Sequence, residues 1–226
     1  MTDASPAAVP VPVPVPLPVR FFLDFVSTYS YFAAQRIDAV AARHGRAVHW
    51  QVVSLPHVFR QAGTTSPLEQ PLKLAHNRQD VGRLVAMSGL PFRRPEGTPD
   101  VQRARLLFHR LRRNDAGLAA RFARAAITLR FGQGVELADA GALRQACAGL
   151  GVAAGDIEAV CADEPDPQDR AALVAATDEA LAAGMFGAPF AAVGTQCFWG
   201  QDRVTDHLDW WLTQQAAAPE PPHPAP

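Results

Sequence analysis

Ser27 and Ser30 stand three residues apart in DFVSTYSYFAAQRI, Asp24 to Ile37. They lie where a short apolar run gives way to a segment with helical spacing. A strand that runs into a helix start leaves backbone N–H groups unpaired, with a partial positive charge, and so suits an anion. A serine there has two uses. It can cap the helix by accepting from a backbone N–H, or it can donate its hydroxyl to an anion such as a thiolate. To act as a nucleophile it would need a base beside it, and no Asp-His pair is evident in the sequence.

Two later stretches hold residues suited to binding. FGAPF, Phe186 to Phe190, places Ala188 before Pro189. A cis bond there turns the Ala188 N–H and C=O outward, toward an extended peptide, whereas a trans bond makes a plain turn. FWGQDR, Phe198 to Arg203, places Trp199, Gly200, Gln201 and Asp202 ahead of a last helix. Asp202 suits a helix cap, and Trp199 suits core and site lining equally. RARLLFHRLRR, Arg103 to Arg113, is a basic stripe. Arg105 is its candidate for an anionic substrate group, but a solvated face is the favoured reading of the stripe. His57, in a loop after the second strand, reads as incidental.

Other chemistries find little support. The 3 cysteines, Cys147, Cys161 and Cys197, are scattered and form no C-x-x-C, which argues for a reducing, cytoplasmic setting without a disulfide framework. The 7 histidines show no ligand spacing, so no metal site is expected. A formal net charge of -1 gives no case for nucleic acid. No apolar run reaches the roughly 20 residues of a membrane span. The Val-Pro repeats of residues 1–18 break any signal-peptide helix and read as a disordered leader, with a polyproline ligand as the alternative. Residues 216–226 read as a disordered tail.

These residues need elements to position them. Val19 to Val26 reads as a buried strand, and Ala47 to Leu55 as a second. Between them YFAAQRIDAVAARHG reads as one helix, with Phe32, Ile37, Val40 and Ala41 inward and Gly45 at its C-terminal end. Pro56 to Pro71 reads as loop. Helices fill most of residues 72–181; one ends at Gly89, and another takes Thr98 or Asp100 as its N-cap. Phe190 to Val193 and Thr195 to Trp199 read as two short strands turning at Gly194. A final helix follows, with Val204, Leu208, Trp211 and Leu212 on one face. The order is β-α-β, a helical block, then β-β-α. All four strands can share one sheet, giving an α/β fold of thioredoxin-like order with a large helical insertion. The domains are then 19–65 plus 182–215, with 66–181 inserted.

FFLDFVSTYSYFAAQRI, FGAPF and FWGQDR, in that order, resemble three stretches of the kappa-class glutathione transferases and 2-hydroxychromene-2-carboxylate isomerases, which have a DsbA-like thioredoxin fold. The resemblance spans about residues 19–214. In relatives the turn is Ser-Pro-x-Ser; here Thr28 replaces the proline. Phe59 and Glu69 stand where a lysine and an asparagine are common, and Arg60 is the cation at hand to compensate.

The resemblance implies a glutathione cofactor whose thiolate is held by Ser27, the one catalytic residue expected. It implies that Ala188 and Pro189 pair with the tripeptide backbone. Asp202 would meet its α-amino group, Gln201 and nearby N–H groups including Gly200 its carboxylate, and Trp199 would line the site. Both cysteine positions of the related disulfide oxidoreductases are serines here, which excludes dithiol redox chemistry at the turn. The implied protein is a homodimeric isomerase of aromatic catabolism acting on a small aromatic substrate. The alternatives are a kappa-type transferase for other electrophiles and a non-catalytic peptide-binding module.

Overall fold

A computed structural model describes residues 16–217 of the 226-residue chain. Most of the proline-rich leader and the end of the tail lie outside the described residues. Ala216 and Ala217 extend the last helix rather than open a tail.

β1 (Val19–Leu23) pairs in parallel with β2 (Val48–Val52), joined by a helical crossover. β3 (Phe190–Val193) runs antiparallel to β1, and β4 (Gln196–Trp199) antiparallel to β3. The order β2-β1-β3-β4 is the four-stranded mixed sheet expected. β1 is central, and its side chains alternate between two cores. Val19, Phe21 and Leu23 enter the larger one. Phe22 enters a smaller one with Val53, Val58, Met185 and Phe190.

The crossover is two helices, not one: α1 (Thr28–Ala34) and α2 (Ile37–Arg43). Arg36 N–H donates to Ala33 O at 3.0 Å, a tight turn that ends α1. Gln35 holds the bend by donating to Tyr31 O at 3.3 Å and to Thr128 Oγ1 at 3.0 Å. The bend keeps Phe32, Ile37, Val40 and Ala41 all in the core. Gly45, at φ 63°, follows α2 as expected.

The expected loop after β2 begins instead as α3 (Leu55–Gln61). Pro56 sits in its first turn, where a missing N–H costs nothing, and Leu55 and Val58 are buried. Next come a short 3-10 turn (Pro67–Glu69) and α4 (Pro71–Ser88), which ends at left-handed Gly89. α5 (Gln102–Arg112) is capped by neither Thr98 nor Asp100. Its N-cap position is Val101, and the Asp100 carboxylate only accepts from Gln102 N–H at 3.4 Å.

α6 (Ala116–Gln133), α7 (Ala140–Ala146), α8 (Ala154–Cys161) and α9 (Pro167–Ala182) complete the helical block. A wide π-type turn (Arg203–His207) leads into α10 (Leu208–Ala217). Val204, Leu208 and Leu212 are buried, and Trp211 packs on Phe198 at 5.9 Å.

Candidate active site

Ser27 follows β1 as the N-cap of α1. Its Oγ accepts from Ser30 N–H at 3.1 Å and donates to Ala188 O at 3.0 Å. It therefore caps the helix and also touches a residue 161 positions away. The Ala188–Pro189 bond is cis. Pro189 O in turn accepts from Gly200 N–H at 3.0 Å. Ser27, Ala188, Pro189 and Gly200 thus form one hydrogen-bonded chain across three loops.

Trp199 is 46% exposed, so it is no core residue. It packs on exposed Phe186 at 4.6 Å between ring centroids. A Cβ on Gly187 would lie 2.7 Å from Trp199 Nε1, so only glycine lets the indole lie against this loop. Gly200 has φ 104° and turns the chain back. Gln201 O accepts from Thr205 Oγ at 2.8 Å. Asp202 makes no capping bond, contrary to that expectation, because its own backbone is already helical. Its carboxylate accepts from Arg203 Nη1 at 2.6 Å.

Beneath the turn, Asp24 is fully buried. It accepts from Arg105 Nε at 3.0 Å and Nη2 at 2.6 Å, and from Leu55 N–H at 2.8 Å. Arg105 thus lies on neither a solvated face nor a substrate wall. The basic stripe misled because Arg105 turns inward to meet Asp24. Buried His109, one turn on, pairs through Nε2 with Val52 O at 2.8 Å.

His57 is half-buried, with Nε2 3.6 Å from Asp178 Oδ1. Phe59 packs against the smaller core, while Arg60 and Glu69 are exposed. Burial pushes the Cys147 thiol up to about 11. Among the described residues no group of His, Cys, Asp or Glu is placed to hold a metal ion, and no helix is long and apolar enough to cross a membrane.

The sequence reading missed Tyr29, which follows Ser27 by two. Its hydroxyl donates to Asp80 Oδ2 on α4 at 2.9 Å. Burial first, then the hydrogen bond to Asp80 and its charge, push the phenol up to about 12; Asn77 opposes and Asp202 adds a little. Buried Asn77 accepts from Arg94 Nη2 at 3.1 Å through Oδ1. A polar path therefore runs from the serine turn to α4 and Arg94. Its one sequence signal was Asn77 and Asp80 three apart on a helix, a pattern common on solvated faces.

This sheet, with a serine turn against a cis-proline loop and a helical block set in the chain, defines a class. The family model for the DSBA-like thioredoxin domain matches residues 18–209, and the chain belongs to that family. The 2-hydroxychromene-2-carboxylate isomerase of Sphingobium xenophagum is 27% identical over 198 residues, 86% of this chain and 97% of that protein. A protein of the same name from Pseudomonas putida is 31% identical over 75 residues, 32% of this chain and 37% of that one. A solved 2-hydroxychromene-2-carboxylate isomerase superposes with a TM-score of 0.77 at 22% identity, covering 88% of this chain and 95% of that one. The cytosolic disulfide reductase DsbM from Pseudomonas aeruginosa, with GSH, gives 0.61 at 18% identity, covering 89% and 100%.

Proposed function

We propose that the protein is a glutathione-dependent isomerase. It converts 2-hydroxychromene-2-carboxylate, or a related small aromatic intermediate of aromatic catabolism, to trans-o-hydroxybenzylidenepyruvate. One observation carries this reading. Ser27 Oγ donates to Ala188 O at 3.0 Å, in a chain 27% identical over 86% of its length to an isomerase of that name.

Glutathione, when bound, supplies a thiolate that adds reversibly to the conjugated system, so that a double bond becomes single, turns and re-forms. This chain's residues fit such a ligand. The Ser27 hydroxyl and the Ala188 carbonyl satisfy each other, and both are released when the hydroxyl hydrogen turns about the Cβ–Oγ bond, which leaves the cap on Ser30 N–H in place. The hydroxyl can then donate to a sulfur anion, and the carbonyl can accept an N–H from an extended peptide. Among the described residues Asp202 is held only by Arg203, in a pair whose side chains are 41% and 54% exposed. Such a surface pair is weak, which leaves the carboxylate able to meet an α-amino group. Trp199 and Phe186, both exposed, offer apolar surface beside the loop. With serines at both cysteine positions, the turn moves no electrons, and an isomerisation needs none.

Free, scattered cysteines accord with a cytoplasmic setting, and a homodimer belongs to the same reading. The test is turnover of the chromene carboxylate with glutathione, beside a chloronitroarene. Ser27→Ala should lower kcat by roughly 10²-fold, as loss of one preorganised donor does. Unchanged turnover would remove Ser27 from the chemistry. Turnover of the chloronitroarene alone would make the protein a transferase. No glutathione binding at millimolar ligand would leave a peptide-binding module.

A further inference from the structure

Beyond the serine turn, α4 and the segment after it flank an open pocket of about 330 Å³. Val81, Val85 and Phe92 supply its apolar wall, Gly82 leaves it open, and Arg78 and Arg94 supply charge. Ligand cavities run from roughly 300 Å³ upward, so this one suits a molecule of one or two rings. Phe92 is a firm wall. It stacks at 6.1 Å on Phe32 (18° between planes) and on Phe131 (4°).

The two guanidinium groups are unbalanced. Arg94 gives Nη2 to the neutral amide of Asn77, and among the described residues neither arginine is in an ion pair. Arg94 is exposed overall, but partial desolvation, then the charges of Arg78 and Arg130, pull its pKa down. It stays protonated, as arginine does in proteins, so its charge is repelled rather than matched. An anion placed between Arg78 and Arg94 would relieve this. Arginine takes a carboxylate through two parallel hydrogen bonds. The pocket therefore offers a flat apolar wall and a carboxylate receptor side by side.

We propose that this pocket binds a small aromatic carboxylate, with Arg94 and Arg78 on the carboxylate and the ring against Phe92, Val81 and Val85. Asn77 is the positioning residue that aims Arg94 and joins it to Tyr29 beside the serine turn. The identification of this ligand as the substrate rests on the isomerase reading above; the pocket itself does not.

The test is calorimetry of the full chain with chromone-2-carboxylate and its uncharged carboxamide, beside a separate glutathione titration. Wild type should bind the acid at least about tenfold tighter than the amide, the scale of one charge-assisted hydrogen bond. Arg94→Gln should remove most of that preference, leaving what Arg78 supplies, and leave amide binding in place. Gly82→Leu fills the cavity without touching a charge and should weaken both ligands. Both changes fall on exposed positions, and a thermal melt of each variant confirms that it is folded. Equal binding of acid and amide by wild type would overturn the proposal, as would an undiminished preference in folded Arg94→Gln. Acid binding without glutathione binding would uphold the pocket and sink the glutathione reading. Glutathione-dependent turnover with no preference for the acid would do the reverse.

Discussion

At the scale of single residues, the Ser27 turn stands on a buried charge. Asp24, fully buried below it, takes two bonds from Arg105 and one from Leu55 N–H. A buried pair adds little over an apolar replacement, but breaking it strands the other charge. Arg105→Leu should therefore destabilise the fold by about 3–5 kcal/mol. Asp24→Asn in the same chain should restore much of that. Urea midpoints of the two variants check this, and a double variant no more stable than Arg105→Leu would refute it. Ser27 and Ala188, which meet in the structure, could be picked out because each belongs to a short local motif. The partners of Tyr29 and Asp24 could not. Asp80 lies 51 residues from Tyr29, and Arg105 lies 81 from Asp24. Nothing local separates a buried arginine from a solvated one when its neighbours on the helix are basic.

At the scale of elements, the strands stand where their β-branched and aromatic runs pointed, but the first two end early, at Leu23 and Val52 rather than Val26 and Leu55. The misses came where a side chain or a turn overrode periodicity. The bend at Gln35–Arg36 leaves helical spacing almost intact, so one helix and two short ones look alike from the pattern. α3 was hidden by Pro56, which reads as loop until it is placed in a first turn. Asp202 looked like a cap by its place, and backbone geometry decided otherwise. α4 carries the clearest element-level weakness. Gly82 sits in the interior of an 18-residue helix, and an added Cβ there meets nothing within 4 Å. Glycine costs about 1 kcal/mol against alanine in such a place. Gly82→Ala should raise stability by that amount, seen as a higher urea midpoint at unchanged m-value. A loss of stability would refute this.

At the scale of the whole molecule, α5 ties the helical block to the sheet through two buried polar side chains one turn apart. Arg105 reaches Asp24 at the end of β1, and His109 reaches Val52 O on β2. Burial lowers the His109 pKa to about 4 from 6.5, against the opposing hydrogen bond to Val52 and with help from Arg112. Above pH 6.5 the ring is neutral whether the chain is folded or not, and this contact is at full strength. Between 6.5 and 4 the unfolded chain binds a proton that the native state refuses, so stability falls as the solution is acidified. Below the folded pKa both states are protonated and the loss levels off. The full span corresponds to about 3 kcal/mol. Glutamine in place of His109 can keep a donor toward Val52 O but cannot titrate. Wild type should therefore lose more stability than His109→Gln between pH 7.5 and 4.5, by about 2–3 kcal/mol on this scale. Carboxylates elsewhere titrate alike in both proteins and cancel in the difference. Equal losses would mean that α5 lifts from β2 and lets water reach the ring well before the chain unfolds, leaving Arg105 alone to hold the block against the serine turn.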